Sequence, residues 1–336
     1  MSDPGVSVLL PARDAEGTLS AALCSLSSQT FADWECILVD DGSRDRTATI
    51  AAEHAARDGR IRVVPGPGQG IVAALRTGLA CCSASLVARM DADDLCHKRR
   101  LEAQVRAMNA DPELTAVGCH PRLFPRGALS GGMRAYESWL TSLRSDADVR
   151  RDAFVECPIA HPSLMIRTAT LRALDYQDRG WPEDYDLVLR MLEVGARVSV
   201  VPEVLLLWRE SPQRLSRTSA SCLHERFVAC KAHYLARGPL RGGAEYVLWG
   251  FGDTGKELSR ALLQEGKRPG MIVELHPGRV GQRIAGAPVV RPEQLQGRRG
   301  ELPVVVSVAG AQARAEIRRT LALFDFVEGR DFVCAA

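Results

Sequence analysis

Residues 6–43, with the sequence VSVLLPARDAEGTLSAALCSLSSQTFADWECILVDDGS, decide the fold of this chain. Val6–Leu10 is an apolar run, Ala15–Ser27 carries apolar residues at helical spacing, and Glu35–Val39 is a second apolar run. This order predicts a strand, a helix and a second strand, the unit from which parallel sheets are built. Ligands bind such sheets at the carboxyl ends of the strands, so the residues that follow each strand are the first candidates for a site.

The same alternation continues to about residue 110. It predicts two more strands and three more helices, at Ile61–Val64, Leu86–Met90, Thr47–Arg57, Ile71–Cys81 and Arg99–Asn109. Strands that alternate with helices of about 10–15 residues predict a parallel sheet with both faces covered. The region 120–235 is less regular, and its best-marked element is a helix that begins near Pro182.

A second α/β pattern follows a glycine-rich stretch. Residues 236–244 have the composition of a linker. Strands and helices are predicted after it at Tyr246–Trp249, Lys256–Glu265, Met271–Glu274, Val304–Val308 and Gln312–Leu323. A chain of 336 residues is long enough for about two domains. We therefore predict domains at 1–235 and 245–336.

The composition excludes several classes of function. The chain has 43 basic and 41 acidic residues, whereas proteins that bind nucleic acid present a strongly basic face. It has no run of about 18 apolar residues that would predict a membrane-spanning helix, and its first residues lack the pattern of a secretory signal. We therefore expect a cytoplasmic protein that does not bind nucleic acid. Its ten cysteines include no C-x-x-C pair, which favours reduced, buried side chains over disulfides or zinc ligands.

Three acidic clusters stand out from the rest of the sequence. Residues 40–41 (Asp-Asp) follow the second predicted strand, residues 91–94 (Asp-Ala-Asp-Asp) follow the fourth, and residues 183–186 (Glu-Asp-Tyr-Asp) open a helix. Each cluster taken alone also fits a structural role. Asp-Asp-Gly-Ser is a favourable turn sequence, Asp93 or Asp94 could cap the next helix, and acids suit the first turn of a helix.

The shared location of the first two clusters favours a functional role. Both end strands of one predicted sheet, so both would face the same crevice. Carboxylates gathered there repel one another unless a cation lies between them. Mg²⁺ or Mn²⁺ takes oxygen ligands and usually bridges one or two carboxylates to substrate phosphates. A nucleoside diphosphate is then a natural partner, and the third cluster could supply a carboxylate that acts as a base.

Eight short motifs follow one another along roughly residues 4–220. They are Pro11-Ala-Arg-Asp-Ala, Leu26-Ser-Ser-Gln-Thr, Asp40-Asp-Gly-Ser-Arg-Asp, Gly70-Ile-Val-Ala-Ala-Leu-Arg-Thr-Gly, Ala88-Arg-Met-Asp-Ala-Asp-Asp, His161-Pro-Ser, Glu183-Asp-Tyr-Asp and Trp208-Arg-Glu-Ser-Pro. In these motifs and in their order the sequence resembles the family 2 glycosyltransferases.

The resemblance implies a fold and a reaction. The fold would be of the GT-A type, a Rossmann-like α/β domain that binds a nucleotide-sugar, here followed by a small Rossmann-like accessory domain. The reaction would be an inverting transfer that depends on Mn²⁺ or Mg²⁺. The sugar would pass from a nucleotide-sugar, by default a UDP-sugar, to a hydroxyl of a glycan or of a lipid-linked acceptor. A lipid-linked acceptor would bring the enzyme to the inner face of the membrane.

The resemblance also implies roles for individual residues. Asp41 or its neighbour Asp40 would contact the nucleotide base, and Asp91 and Asp93 would hold the ribose and the metal-bound diphosphate. The general base that takes the proton from the acceptor hydroxyl would be Asp184. The other residues implied to line the donor pocket are Pro11, Arg13 and Arg89.

Four further residues have both a functional and a structural interpretation. They are His161, Trp181, Glu183 and Arg209. As parts of the site they would contact the acceptor or the phosphates, because a tryptophan ring can stack on a sugar and arginine pairs well with phosphate. As structural residues they would be packed, bonded to neighbours or solvated.

The C-terminal region carries a glycine motif of its own. Gly250, Gly252 and Gly255 form a G-x-G-x-x-G that follows a predicted strand, and Glu274 ends the next strand. The glycines would let the backbone approach a pyrophosphate, and Glu274 would bond to a ribose hydroxyl. If this loop were the active part of the protein, the alternative function would be that of an NAD-linked or sugar-nucleotide-modifying enzyme. Small domains of this kind also occur without a ligand or as assembly modules.

Overall fold

The computed structural model describes residues 4–212, 214, 217 and 219–336 and divides the chain into two compact units. The first unit contains Met1–Val149, Pro158–Arg179 and Asp186–Arg214. The second contains Arg150–Cys157, Gly180–Tyr185 and Leu215–Ala336. Two short segments from the middle of the chain therefore belong with the C-terminal region.

The helices and strands alternate along most of the chain. The strands are β1 (Val6–Ala12), β2 (Trp34–Asp40), β3 (Ile61–Pro65), β4 (Leu86–Arg89), β5 (Leu95–Cys96), β6 (Leu114–Phe124), β7 (Met165–Arg167), β8 (Arg197–Arg209), β9 (Glu245–Trp249), β10 (Arg268–Val273), β11 (Arg283–Ile284), β12 (Ala287–Val290), β13 (Val304–Val306) and β14 (Phe332–Cys334). The helices are α1 (Leu19–Ser27), α2 (Thr47–Arg57), α3 (Ile71–Cys81), α4 (Arg100–Ala110), α5 (Gly131–Leu140), α6 (Asp146–Asp152), α7 (Thr168–Leu174), α8 (Glu183–Glu193), α9 (His224–Arg237), α10 (Asp253–Gln264) and α11 (Ala311–Leu323). None of these helices is long and apolar enough to cross a bilayer, as far as the described residues go.

The first unit is built on one sheet with the strand order β3-β2-β1-β4-β7-β6-β8-β5. Strands β1 to β4 are parallel, and β7 and β5 run antiparallel to their neighbours. All seven residues of β1 are buried, as expected for a strand with helices on both faces. The chain order reverses between β1 and β4, and α/β proteins bind ligands beside such a reversal.

Helix α1 starts later than the sequence pattern predicts. The pattern extends to Ala15, but the helix begins at Leu19. The backbone N–H groups of Ala15 and Glu16 donate to the side chains of Thr47 and Asp45, at 2.7 Å and 2.9 Å. These side-chain acceptors hold the segment before α1 as a loop beside the ends of β1 and β2.

Helix α3 lies against the sheet at a glycine. A Cβ on Gly78 would lie 2.3 Å from Leu9 Cδ1 and 2.8 Å from Val39 Cγ2, both side chains of the buried sheet face. Real Cβ atoms do not approach other atoms this closely, so the absence of a side chain sets the distance between α3 and strands β1 and β2.

We expect Gly78→Ala to destabilise the protein by up to about 2 kcal/mol. Overpacking costs about 1–3 kcal/mol, and the gain of about 1 kcal/mol that alanine gives in a helix offsets part of this cost. Gly132→Ala is the matched control, because it also lies in a helix and its Cβ would meet only Ser130 Oγ, at 3.9 Å. Urea unfolding of both variants is the measurement. Equal effects from the two substitutions would contradict the packing role of Gly78.

The second unit contains a sheet with the order β11-β12-β10-β9-β13-β14. All its pairs are parallel except β11 with β12, and the order reverses between β9 and β13. The predicted α/β architecture is therefore confirmed in both units. Helix α9 runs two residues into the predicted linker at 236–244 and belongs to the second unit. The division into domains at 1–235 and 245–336 stays a prediction.

Candidate active site

The main candidate site lies at the carboxyl end of β4, where a cluster of three carboxylates follows the strand. Asp91, Asp93 and Asp94 each offer an oxygen, and these three oxygens lie within 4.8 Å of one another. Strand β4 ends beside the reversal of strand order, so the cluster lies where an α/β sheet binds its ligand. This is the arrangement that the sequence predicts for Asp91 and Asp93.

Asp94 is a member of the cluster that the sequence analysis did not identify as a ligand. Its interpretation as a helix cap is wrong, because α4 begins only at Arg100, with Arg99 before it at the cap position. The Asp94 side chain is 1% exposed, and its Oδ1 accepts from the Arg209 backbone N–H at 2.7 Å. No hydrogen-bond partner for Oδ2 exists among the described residues. The run of three acids in four residues was the available signal.

The cluster is electrostatically strained without a cation. Burial, followed by the charge of Asp91, raises the pKa of Asp93 to about 6. Burial, followed by the charges of Asp91 and Asp93, raises the pKa of Asp94 well above its usual range. The charges of Arg214 and Arg209 oppose the shift of Asp93, and the backbone hydrogen bond from Arg209 and the charge of Arg214 oppose that of Asp94, without cancelling either shift. A divalent cation would relieve the repulsion, and three carboxylates with one unbonded buried oxygen form a donor set that suits Mg²⁺ or Mn²⁺.

Arg89 holds the first carboxylate of the cluster. Its side chain is buried, and its Nη2 lies 2.6 Å from Asp91 Oδ1. The backbone oxygen of Arg89 accepts from Arg100 Nη2 at 2.7 Å, and Arg100 Nε donates to Gln104 Oε1 at 3.0 Å. Arg89 is therefore directed at Asp91, so its predicted part in donor binding would be indirect, through that carboxylate.

Arg209 lies beside the same cluster. Its Nε donates to the backbone oxygen of Asp93 at 2.7 Å, and its guanidinium lies 4.6 Å from the centre of the Phe124 ring. These contacts bring a positive charge to the edge of the acidic cluster. Its predicted contact with phosphate stays a prediction.

The acids after β2 are engaged with nearby loops. The buried carboxylate of Asp41 accepts from the backbone N–H groups of Gly68 and Gly70, at 2.7 Å and 2.8 Å. Asp40 Oδ1 accepts from the backbone N–H of Ser43 at 3.2 Å. Asp41 thus shapes the loop before α3, and a nucleotide contact by either acid stays a prediction.

Pro11 and Arg13 flank the end of β1. Pro11 is buried and pairs with Val39 across the parallel ladder. The half-exposed Arg13 places its Nη1 3.7 Å from Asp41 Oδ2. Both lie at the carboxyl end of the sheet, and their contact with a donor stays a prediction.

His161 is a buried residue of the first unit. Its ring lies 5.7 Å from the Tyr176 ring, and its Nε2 lies 3.5 Å from the Tyr176 hydroxyl oxygen. Burial, aided by the charge of Arg89, holds the pKa of His161 well below its usual value. The imidazole is therefore neutral at physiological pH.

This burial predicts acid sensitivity. Below about pH 6.5 the unfolded chain binds a proton at His161 that the folded chain does not bind, so folding loses up to about 1.4 kcal/mol for each further pH unit. Urea unfolding of the wild type and of His161→Gln between about pH 5 and pH 7 measures this. The stability of the variant should fall less as the pH decreases. Parallel pH dependences would show that His161 titrates normally in the folded chain.

The third acidic cluster opens α8. Asp186 is fully buried and accepts from Arg190 Nε at 2.6 Å, and Glu183 is buried as well. Asp184 is partly exposed and is the most accessible carboxylate of this cluster. The Trp181 ring lies 5.3 Å from the ring of His233 on α9. The role of Asp184 as a base and the sugar contact of Trp181 both stay predictions.

The C-terminal glycine loop has the predicted position after β9. Gly250 has a φ of +96°, and a Cβ on Gly255 would lie 2.2 Å from the Gly250 carbonyl oxygen. A Cβ on Gly252 would meet no atom within 4 Å among the described residues. Glu274 Oε2 lies 3.0 Å from Arg279 Nη1, so the carboxylate proposed for a ribose is already ion-paired. Nucleotide binding by this loop stays a prediction.

Comparison with known proteins identifies the family. The model of glycosyl transferase family 2 matches residues 7–170. The protein named glycosyltransferase EpsE from Bacillus subtilis (strain 168) is 30% identical over 224 residues, which cover 65% of this chain and 77% of that protein.

Two solved structures are similar in fold. TarS from S. aureus, in complex with UDP-GlcNAc, has a TM-score of 0.56 at 16% sequence identity. The alignment covers 76% of this chain and 71% of the TarS chain. The mannosyltransferase PcManGT from Pyrobaculum calidifontis, in complex with GDP-Man and Mn²⁺, has a TM-score of 0.52 at 16% sequence identity. The alignment covers 97% of this chain and 82% of the PcManGT chain. These two structures show the fold, and the family match together with the similarity to EpsE shows that this chain belongs to the family 2 glycosyltransferases.

Proposed function

We propose that this protein transfers a sugar from a nucleotide-sugar to an acceptor hydroxyl with inversion, and that it requires Mn²⁺ or Mg²⁺. The observation that carries the proposal is the cluster of Asp91, Asp93 and Asp94 at the carboxyl end of β4. Its three oxygens suit a divalent cation, and such a cation commonly bridges carboxylates to a diphosphate. The site would therefore bind the diphosphate of the donor.

The similar structures support this choice of ligand. TarS was solved with UDP-GlcNAc, and PcManGT with GDP-Man and Mn²⁺. Both ligands are nucleotide-sugars, although their bases differ. We propose a UDP-sugar as the donor and a glycan or lipid-linked sugar as the acceptor.

Each residue of the site would have a separate role in the reaction. Asp91, Asp93 and Asp94 would hold the ion, which when bound neutralises negative charge on the departing nucleoside diphosphate. Arg209 would add a positive charge near the phosphates. Asp184 would take the proton from the acceptor hydroxyl as its oxygen bonds to the anomeric carbon and the bond to the diphosphate breaks. Attack from the face opposite the leaving group inverts the anomeric centre.

Ligand-induced thermal shifts test the donor and the metal. UDP, GDP, dTDP and NAD are each added with and without Mn²⁺, and both unfolding transitions are followed. At about 100 times its dissociation constant a ligand adds about 2.7 kcal/mol, which raises the melting temperature by several degrees. We expect the largest shift with UDP, and only when Mn²⁺ is present.

Two variants assign this shift to the cluster. Asp93→Asn should abolish the Mn²⁺-dependent part, whereas Asp325→Asn, an exposed carboxylate in the second unit, should retain it. A shift with NAD alone, independent of metal, would instead support the C-terminal glycine loop as the functional site.

Turnover tests the base. We expect Asp184→Asn to lower the release of UDP from a UDP-sugar by about 10²–10⁴-fold, because general-base catalysis contributes a factor of this size. The assay uses the donor whose nucleotide gives the largest thermal shift, with alkyl glycosides as acceptors. The Mn²⁺-dependent UDP shift should persist in this variant. Glu183→Gln is the matched comparison, and a larger loss from Glu183→Gln than from Asp184→Asn would reverse the assignment.

A further inference from the structure

Two aromatic residues lie on either side of the proposed base along the chain, and the ring of each contacts a ring on α9. Trp181 precedes Asp184 by three residues, and its ring lies 5.3 Å from the His233 ring. Tyr185 follows Asp184 directly, and its ring is stacked on Phe227 with centroids 4.4 Å apart and planes 10° from parallel. All of these residues belong to the second unit.

Tyr185 is fixed at both ends of its side chain. The residue is fully buried, and its hydroxyl donates to the Ala153 carbonyl oxygen at 2.8 Å. Any other orientation of this side chain would break either the ring stack or the hydrogen bond. Because Asp184 is the adjacent residue, the backbone that carries its carboxylate is fixed as well.

Helix α9 is itself held in place one turn after Phe227. The buried Lys231 donates from Nζ to the carbonyl oxygens of Val155 and Ala335, at 3.1 Å and 2.7 Å. Its Nζ also lies 5.3 Å from the centre of the Phe227 ring. The ring that stacks on Tyr185 is therefore presented by a helix that is tied to the segment 150–157 and to the end of the chain.

A second carboxylate of the second unit lies near the proposed base. Burial raises the pKa of Glu156, the charge of Lys231 opposes this shift, and the charge of Asp184 adds to it. Glu156 and Asp184 are therefore close enough for their charges to interact.

We propose that Phe227 is a positioning residue for the transferase, acting on Asp184 through Tyr185. This inference rests on the proposed role of Asp184 as the base. It makes helix α9 part of the machinery for proton transfer, although the family match ends at residue 170. Phe227 itself does not touch the substrates.

The position of the base predicts which kinetic constant changes. The donor and the ion bind at the cluster after β4, and Phe227 has no part in that cluster, so donor affinity should not depend on its ring. Proton transfer depends on the placement of Asp184, and a misplacement of about 1 Å can cost about 100-fold in rate. The effect should therefore fall on kcat.

The experiment compares substitutions of Phe227 in the full-length chain with Mn²⁺, using the donor and acceptors of the turnover assay. We expect Phe227→Leu to lower kcat at least about 10-fold, with a donor KM within about 2-fold of the wild type. Phe227→Tyr keeps an aromatic ring and should restore kcat to within about 3-fold. Arg226→Ala, at the exposed neighbouring position on α9, should behave as the wild type.

A second variant covers the case in which Phe227→Leu does not fold. Tyr185→Phe keeps the stack and removes only the hydrogen bond to Ala153, and we expect it to lower kcat about 3- to 10-fold, as for one buried hydrogen bond. The retained Mn²⁺-dependent UDP shift reports that each variant is folded and binds the donor.

Three results would overturn the inference, and a fourth concerns the proposed function. Unchanged kcat in the folded Phe227→Leu variant would show that the stack does not position the base. Unchanged kcat in Tyr185→Phe would show that fixing the Tyr185 side chain does not determine the position of Asp184. A proportional rise in donor KM with little change in kcat would show that Phe227 acts on binding instead. If Asp184→Asn also retained full turnover, the assignment of the base would be wrong rather than the role of α9.

Discussion

The repulsion between three neighbouring carboxylates is the constraint on which the site depends. One carboxylate oxygen from each of Asp91, Asp93 and Asp94 lies within 4.8 Å of the other two, and burial raises the pKa of both Asp93 and Asp94. A fold gains no stability from such a group, because each buried charge costs free energy unless it is paired. A divalent cation bound between these carboxylates would remove this cost, so under the proposed function the same arrangement would favour the binding of a metal with a diphosphate.

Buried hydrogen bonds around the cluster hold the end of β4 in place against the repulsion between the carboxylates. Gln104 donates from Nε2 to the carbonyl oxygens of Ser163 and Val117, at 2.7 Å and 3.2 Å, and its Oε1 accepts from Arg100. Arg100 in turn bonds to the backbone of Arg89, whose side chain meets Asp91. This chain of buried hydrogen bonds runs from α4 to the end of β4. Because buried polar groups are costly to leave unbonded, each link fixes the next.

The sequence predicts the helices and strands correctly where apolar residues recur at regular spacing. Helices α2 and α3 have the predicted bounds, and the four parallel strands lie within one or two residues of theirs. The pairing of β6 with β8 escapes prediction because its partners are far apart in the chain and its register shifts at residues 114–116 and 119–121. Such irregularities remove the alternation by which a strand is recognised. Asp94 escaped for a related reason, since only the fold shows that β5 separates it from α4.

Asp184 illustrates a different limit of sequence reasoning. The acidic cluster that opens α8 can be identified from the sequence, but the sequence alone does not show which of its carboxylates is accessible or what fixes it. Burial separates Asp184 from Glu183 and Asp186. The contact between Tyr185 and Phe227 then joins positions 42 residues apart, one inside the predicted catalytic motifs and the other beyond them. As the proposed base, Asp184 would need α9 as much as its own helix, so the transfer reaction would depend on the C-terminal unit.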